Sequence, residues 1–309
     1  MPLLSICIPT YERERDLIRC LESIFSLPKN VLTKLEVCIS DNCSSYDFIE
    51  LMESYSNNKN LVFKKNQENI GFDGNVLEVV KMACSDYVML LGNDDVVLED
   101  GILKLILELE RHCPDAVFSN YQINLTRLNK VFIVLTKYQT SHSLELEWIL
   151  KNLGDKCTFI SALTFKKNIL VLDEKIIGKY IGKAFIHMVL IFESLQNNNS
   201  ITYLNSPTVM AFDSNEDAYN VKEVFLGKLG YIINSYKFKY KKSALTAFKL
   251  KILKHVVLSK NEIYLDDLFN FELLSPRSII LMTFSKKFIF NVVLKFKISI
   301  RKSLNFIRH

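Results

Sequence analysis

Two adjacent carboxylates, Asp94 and Asp95, follow the apolar run Tyr87–Leu91 in the segment Gly92-Asn93-Asp94-Asp95. Side by side they repel one another unless a cation or hydrogen-bond donors hold them. Hard oxygen ligands of this kind suit Mg²⁺ or Mn²⁺, which bind through one or two carboxylates together with substrate phosphates. The same residues also suit an Asp-rich turn that caps the next helix. Ser40-Asp41-Asn42 closes a second apolar run, where an Asp can accept from the imino N–H of a uracil-type base or from ribose hydroxyls, or can simply cap a turn. Asn69-Ile70-Gly71-Phe72-Asp73-Gly74-Asn75 sets two glycines before a helical pattern, so backbone can approach a phosphate at a helix N-terminus.

These residues need elements to hold them, and the first half of the chain supplies two alternating periods. Leu3–Ile8, Leu35–Ser40, Leu61–Lys65, Tyr87–Leu91 and Ala116–Asn120 read as strands, the first ended by Pro9. Between them Glu14–Leu27, Phe48–Tyr55, Val76–Ala83 and Ile102–Arg111 carry apolar residues at helical spacing. Strands separated by helices imply βαβ units and a mostly parallel sheet, in which ligands bind beyond the carboxyl ends of the strands. Pro9–Tyr11, Asp41–Ser45 and Gly92–Asp95 all fall at such ends. That coincidence favours the cation reading of the Asp pair and points to a nucleotide site.

Farther on, Val131–Leu135, Phe159–Phe165 and Ile201–Tyr203 read as strands and Lys183–Leu195 as a helix. Beyond about residue 215 the pattern turns helical and basic. Residues 1–236 hold 23 Lys+Arg against 30 Asp+Glu, whereas 237–309 hold 16 against 4, so the two regions face different partners. Residues 277–309 carry eight Lys/Arg, no carboxylate and a broad apolar face, the profile of an interfacial helix on an anionic membrane. No nucleic-acid motif accompanies this basic charge, so nucleic acid is not expected as a partner. Seven cysteines without a C-x-x-C spacing read as reduced thiols rather than a disulfide framework. Leu3–Pro9 is too short for a signal sequence and no run of 18 apolar residues occurs, so a cytoplasmic location, peripheral on the membrane's inner face, is expected.

The run Leu4-Ser5-Ile6-Cys7-Ile8-Pro9-Thr10-Tyr11 with Arg13, then Glu36–Ser44, Asn69-Ile70-Gly71 and Leu90–Asp95, resembles family 2 glycosyltransferases of the GT-A fold. The likeness covers about residues 3–110 and is closer to the abequosyltransferase-like branch of bacterial O-antigen enzymes. It implies that Thr10, Tyr11 and Asp41 hold base and ribose, while Asn69, Gly71 and Asn75 line the diphosphate, with Pro9 and Asn42 also among the donor-binding residues. Asp94 and Asp95 would bind a metal, Mg²⁺ or Mn²⁺, bridging that diphosphate, with Asn93 beside them. Asn93 departs from the branch, which carries Asp there. The family also supplies an acceptor base from a Glu-Asp pair at a helix start; here the matching segment, Gly182–Met188, has none. His187 is the replacement, or else a structural histidine on an apolar helix, with Asp213, Glu216 and Asp217 as further carboxylates.

The expected enzyme therefore moves a sugar from a UDP-, CDP- or dTDP-sugar to a lipid-linked glycan acceptor, with His187 and Asp95 as catalytic candidates. A GT-A glycosyltransferase domain spans 1–215, with a donor half to about 110 and an acceptor half after it, followed by a helical region over 216–309. A non-catalytic nucleotide-sugar-binding module and a nucleotidyltransferase are the rival readings. The absence of a Gly-rich basic loop near the start weighs against the second.

Overall fold

Leu4–Thr10 forms β1, and every residue of it is buried. Such a strand, apolar on both faces, belongs at the centre of an α/β sheet. The computed structural model describes residues 2–195, 199–212 and 220–259. After β1 come α1 (Glu14–Phe25), α2 (Lys29–Leu32), β2 (Leu35–Asp41), α3 (Phe48–Glu53), β3 (Leu61–Lys65), α4 (Gly71–Met82) and β4 (Tyr87–Leu90). The chain continues through β5 (Val96–Val97), α5 (Glu99–His112), β6 (Ala116–Leu125), β7 (Lys130–Ile133), β8 (Ser141–Leu144), α6 (Leu146–Asn152) and β9 (Leu163–Lys166). Then follow α7 (Glu174–Ile177), α8 (Ile186–Ser194), β10 (Ile201–Phe212), α9 (Gly230–Ser235) and α10 (Lys242–Leu258).

The ten strands share one sheet in the order β3-β2-β1-β4-β9-β6-β10-β5, with β7 on β6 and β8 on β10. Pairing is parallel from β3 through β4, as the βα spacing implies. From β4 onward the sheet is mixed. β9 runs antiparallel to both β4 and β6, β5 and β8 are antiparallel to β10, and only β6 and β10 pair parallel. The parallel expectation therefore holds for the donor half. Beyond it β9 enters between β4 and β6 and runs against both, which ends the parallel run.

Leu17, Cys20, Leu21 and Ile24 bury one stripe of α1 against the strands, and Ile102, Leu105, Ile106 and Leu109 do the same for α5. Three boundaries differ from expectation in ways that bear on the site. β1 runs past Pro9 to Thr10, paired to β2 through Thr10–Asp41 but to β4 only as far as Cys7–Leu90. Pro9 has no N–H with which to prolong a ladder, and the two strands part there. α4 starts at Gly71, five residues before Val76, which puts Asp73 and Asn75 in its first turns. α8 starts at Ile186, because Gly182 and Ala184 take left-handed φ values of 83° and 60° and break a helical path through Lys183.

The chain divides into two compact units, Met1–Ile149 with Lys156–Glu216, and Leu150–Asp155 with Asp217–His309. In the second, a π-helical turn over Glu223–Leu229 leads into α9. Its core is built from Phe225, Leu229, Ile232, Phe248 and Ile252. The His255 ring packs 4.7 Å from that of Phe225 and lies 3.3 Å from an Asp155 carboxylate oxygen. The basic segment 277–309 and the carboxylates Asp213, Glu216 and Asp217 lie outside the described residues. Among the described residues, no helix is long and apolar enough to cross a membrane.

Candidate active site

The carboxyl ends of β1, β2 and β4 converge where β1 and β4 part. Thr10 ends β1, and its hydroxyl oxygen accepts from Asn93 Nδ2 at 2.8 Å. This gives the departure at position 93 a physical role: the amide donates across the gap, which a carboxylate cannot do. Gly92 sits beneath the Asp pair. A Cβ there would come within 3.0 Å of Asp94 Oδ1 and 3.1 Å of Asp95 Oδ2, so both carboxylates crowd the space that glycine leaves open.

The two carboxylates are not equivalent. Asp94 is half-exposed; its Oδ2 pairs with the Arg13 guanidinium, and its backbone carbonyl accepts from Arg19 at 2.9 Å. Arg19 also lies over the Phe212 ring at the end of β10, 4.3 Å from its centroid. Asp95 is buried, and its Oδ2 accepts from the Ser161 hydroxyl, whose oxygen in turn accepts from Gly92 N at 2.8 Å. Burial, then the neighbouring Asp94 charge, push its carboxyl up to about 7; Ser161, Arg19 and Arg13 oppose the rise without cancelling it. Without a cation, the protein thus disfavours a second negative charge on the pair. A hard divalent cation fits this donor set, with Asp94 offering the open oxygen and Asp95 the inner one.

Asp41, Asn42 and Asn75 form a buried amide and carboxylate lattice at the end of β2. Both oxygens of Asp41 accept from Ser44, one from its backbone N–H at 3.0 Å and one from its hydroxyl at 2.5 Å, which closes the turn after the strand. Asn42 donates to Asn69 Oδ1 at 2.7 Å and accepts from Ile70 N at 2.9 Å, tying this turn to the start of α4. Asn75 donates to the carbonyls of Thr10 and Ser40 and accepts from Ser40 Oγ and Asn66 Nδ2. Its amide is fully used by protein partners, so it sets the spacing of β1, β2 and α4. Tyr11, Asn69 and Gly71 are exposed around this lattice, and Pro9 is buried within it.

Asp73 was not singled out by its spacing. It is buried, and its carboxylate accepts from Ala184 N at 2.8 Å and Ile186 N at 3.1 Å. It braces the left-handed loop that launches α8, and burial raises its carboxyl above the ordinary range against those same hydrogen bonds. His187 follows in the first turn of α8. Its Nε2 lies 2.9 Å from the Thr158 carbonyl, which assigns the proton to Nε2 and the lone pair to Nδ1. Nδ1 is buried without a hydrogen-bond partner, and burial lowers the ring's pKa to about 4. The ring is therefore neutral at working pH, and its free nitrogen is buried.

The sequence profile described as Glycosyl transferase family 2 matches residues 5–169. Abequosyltransferase RfbV of Salmonella typhimurium is 38% identical over 102 residues, covering 32% of this chain and 30% of that protein. Poly(ribitol-phosphate) beta-N-acetylglucosaminyltransferase TarS of Staphylococcus aureus is 27% identical over 120 residues, 38% of this chain and 20% of that one. The chain thus spans about a third or less of the length of these curated relatives. Among solved structures, S. aureus TarS 1-349 in complex with UDP-GlcNAc superposes with a TM-score of 0.62 at 17% identity, covering 82% of this chain and 72% of that one. Mannosyltransferase PcManGT from Pyrobaculum calidifontis, in complex with GDP-Man and Mn²⁺, gives a TM-score of 0.56 at 14% identity, covering 95% and 84%. At these identities the structural likeness concerns the fold, which is the GT-A type.

Proposed function

Because the chain belongs to glycosyl transferase family 2, we propose that it moves a sugar from a nucleotide-diphosphate donor to a hydroxyl of a membrane- or lipid-linked glycan acceptor. The observation that carries this reading is the crevice between β1 and β4. There Thr10, Asn93 and Asp94 meet at the carboxyl ends of adjacent parallel strands, with Arg13 and Arg19 at the rim. The fold neighbour holding UDP-GlcNAc supports a UDP-sugar donor, and the abequosyltransferase relative supports a place in bacterial surface polysaccharide (O-antigen or capsule) synthesis.

In this reading exposed Tyr11 stacks on the base, and the turn that buried Asp41 closes with Ser44 borders base and ribose. Asn69 and Gly71, at the start of α4, face the diphosphate beside that helix's N-terminal N–H groups. Asp94 and Asp95 would hold Mg²⁺ or Mn²⁺; a bound cation supplies positive charge to the diphosphate leaving group. The Mn²⁺ complex of the mannosyltransferase neighbour supports that cofactor. Arg13 and Arg19 compensate the same charge from the rim. His187 is read as a positioning residue: its Nε2–H anchors the first turn of α8 to Thr158, and Asp73 anchors the loop before it.

Calorimetric titration with UDP, CDP, GDP and dTDP tests the reading. One nucleotide should bind with micromolar affinity, and Asp94→Asn should weaken it in the presence of Mn²⁺. No nucleotide binding below about a millimolar would refute a nucleotide-sugar site.

A further inference from the structure

The C-terminal end of α5 carries a second group of ligand atoms that the donor site does not use. Glu108 and His112 stand four residues apart on that helix, so they share a face. His142, on β8, brings its ring against that of His112, with centroids 4.1 Å apart and planes 22° from parallel. Glu108 Oε2 lies 3.5 Å from His142 Nδ1 and 3.8 Å from His112 Nε2. Both separations are too long for a hydrogen bond, and that buried oxygen has no hydrogen-bond partner. His142 Nδ1 has one other polar neighbour, the Thr202 hydroxyl at 3.3 Å. Glu108 Oε2 is thus a buried acceptor set between two imidazole nitrogens, a place that suits a cation.

We propose that Glu108, His112 and His142 bind a borderline transition metal of the Zn²⁺ class. Two imidazole nitrogens and one carboxylate oxygen are the donor types such ions select, whereas Mg²⁺ and Ca²⁺ take all-oxygen shells. Tetrahedral ligands about 2.0–2.1 Å from Zn²⁺ stand about 3.4 Å from one another, close to the two separations to Glu108. All three ligand atoms lie within 4.8 Å of one another, a gap that small rotations of the two half-exposed rings would close. A fourth position would be left to water. The metal would pin α5 to β8. The site is independent of the donor crevice, because α5 rises about 20 Å over its 14 residues and the crevice lies before its other end.

The test uses the untagged full chain, stripped with chelator and titrated with Zn²⁺ against a chromophoric competitor; Co²⁺ serves as a spectroscopic stand-in. One equivalent of Zn²⁺ should bind, Co²⁺ should give a four- or five-coordinate visible spectrum, and the melting temperature should rise with Zn²⁺. His112→Ala, His142→Gln and Glu108→Gln should each weaken binding by about tenfold or more. Asp94→Asn should leave it unchanged, which separates this site from the donor site. Circular dichroism checks that each variant folds, and the conservative Glu108→Gln serves if a histidine variant does not. Absence of stoichiometric binding, or binding that survives all three changes, would overturn the proposal. So would binding lost only in Cys113→Ser, because the exposed thiol beside His112 would then be the ligand.

Discussion

Asp95→Asn should stabilise the protein, and the gain should grow with pH. The folded carboxyl sits at about 7 against an ordinary 3.8, because it is buried beside Asp94. Below the unfolded pKa both states carry the proton and the residue adds nothing unfavourable. As pH rises from 3.8 toward 7 the unfolded chain ionises while the folded one does not, so stability falls across that window and levels off above it. At about 1.4 kcal/mol per pKa unit, the loss accumulated between about pH 5 and pH 8 is about 2–3 kcal/mol. An asparagine keeps the shape and an oxygen that can accept from Ser161, but it does not titrate. Any fixed effect of the amide is the same at both pH values. The contribution of His187, present in both proteins, cancels in the difference. Urea denaturation of both proteins near pH 5 and pH 8 measures it, with equal slopes confirming comparable unfolding. A difference between the two that does not change with pH would refute the assignment of an uncompensated charge at Asp95.

Asp94→Asn should abolish transfer while leaving thermal stability unchanged or raised, since it removes one of two facing carboxylates; activity within about twofold of wild type would contradict its role. Asp41→Ala should weaken nucleotide binding and lower stability, each by about 1–3 kcal/mol, through loss of both hydrogen bonds from Ser44; calorimetry and urea titration read the two effects. His187, neutral in the folded protein, should make stability fall as pH drops from 6.5 toward its folded value of about 4. His187→Gln should flatten that acid limb and leave the rate free of a histidine pKa; a rate profile that loses such a pKa in the variant would restore His187 as the acceptor base. Truncation after Leu274 should release the protein from anionic vesicles in a cosedimentation assay and spare donor hydrolysis; a truncated protein that still sediments would show that membrane attachment lies elsewhere.

The donor half was legible in the sequence because its signals are local. Each strand from β1 to β4 is a short apolar run, each following helix has its own stripe, and the polar clusters sit at the junctions. In the acceptor half the elements were legible too, but the contacts by which they build the site were not, because those contacts are distant. Asp73 lies within a quoted motif, yet its partners are 111 and 113 residues away. Ser161 reaches Asp95 across 66 residues from a turn with no periodicity. Asn93 looked like a lost carboxylate in the sequence, and only the approach of Thr10 shows an amide bridging two strand ends. The pairing of His142 with Glu108 and His112 joins a helix to a strand three elements later, which no spacing rule reveals.

Sugar turnover bears most directly on the central claim. The full chain should be incubated with UDP-, CDP-, GDP- and dTDP-sugars, with Mn²⁺ or with chelator, and released nucleoside diphosphate measured in the absence of acceptor. One donor should be hydrolysed slowly, with Mn²⁺ raising the rate and Asp94→Asn removing it. If no donor is cleaved while a nucleotide still binds, the chain is a nucleotide-sugar-binding module and the claim that it is a transferase fails.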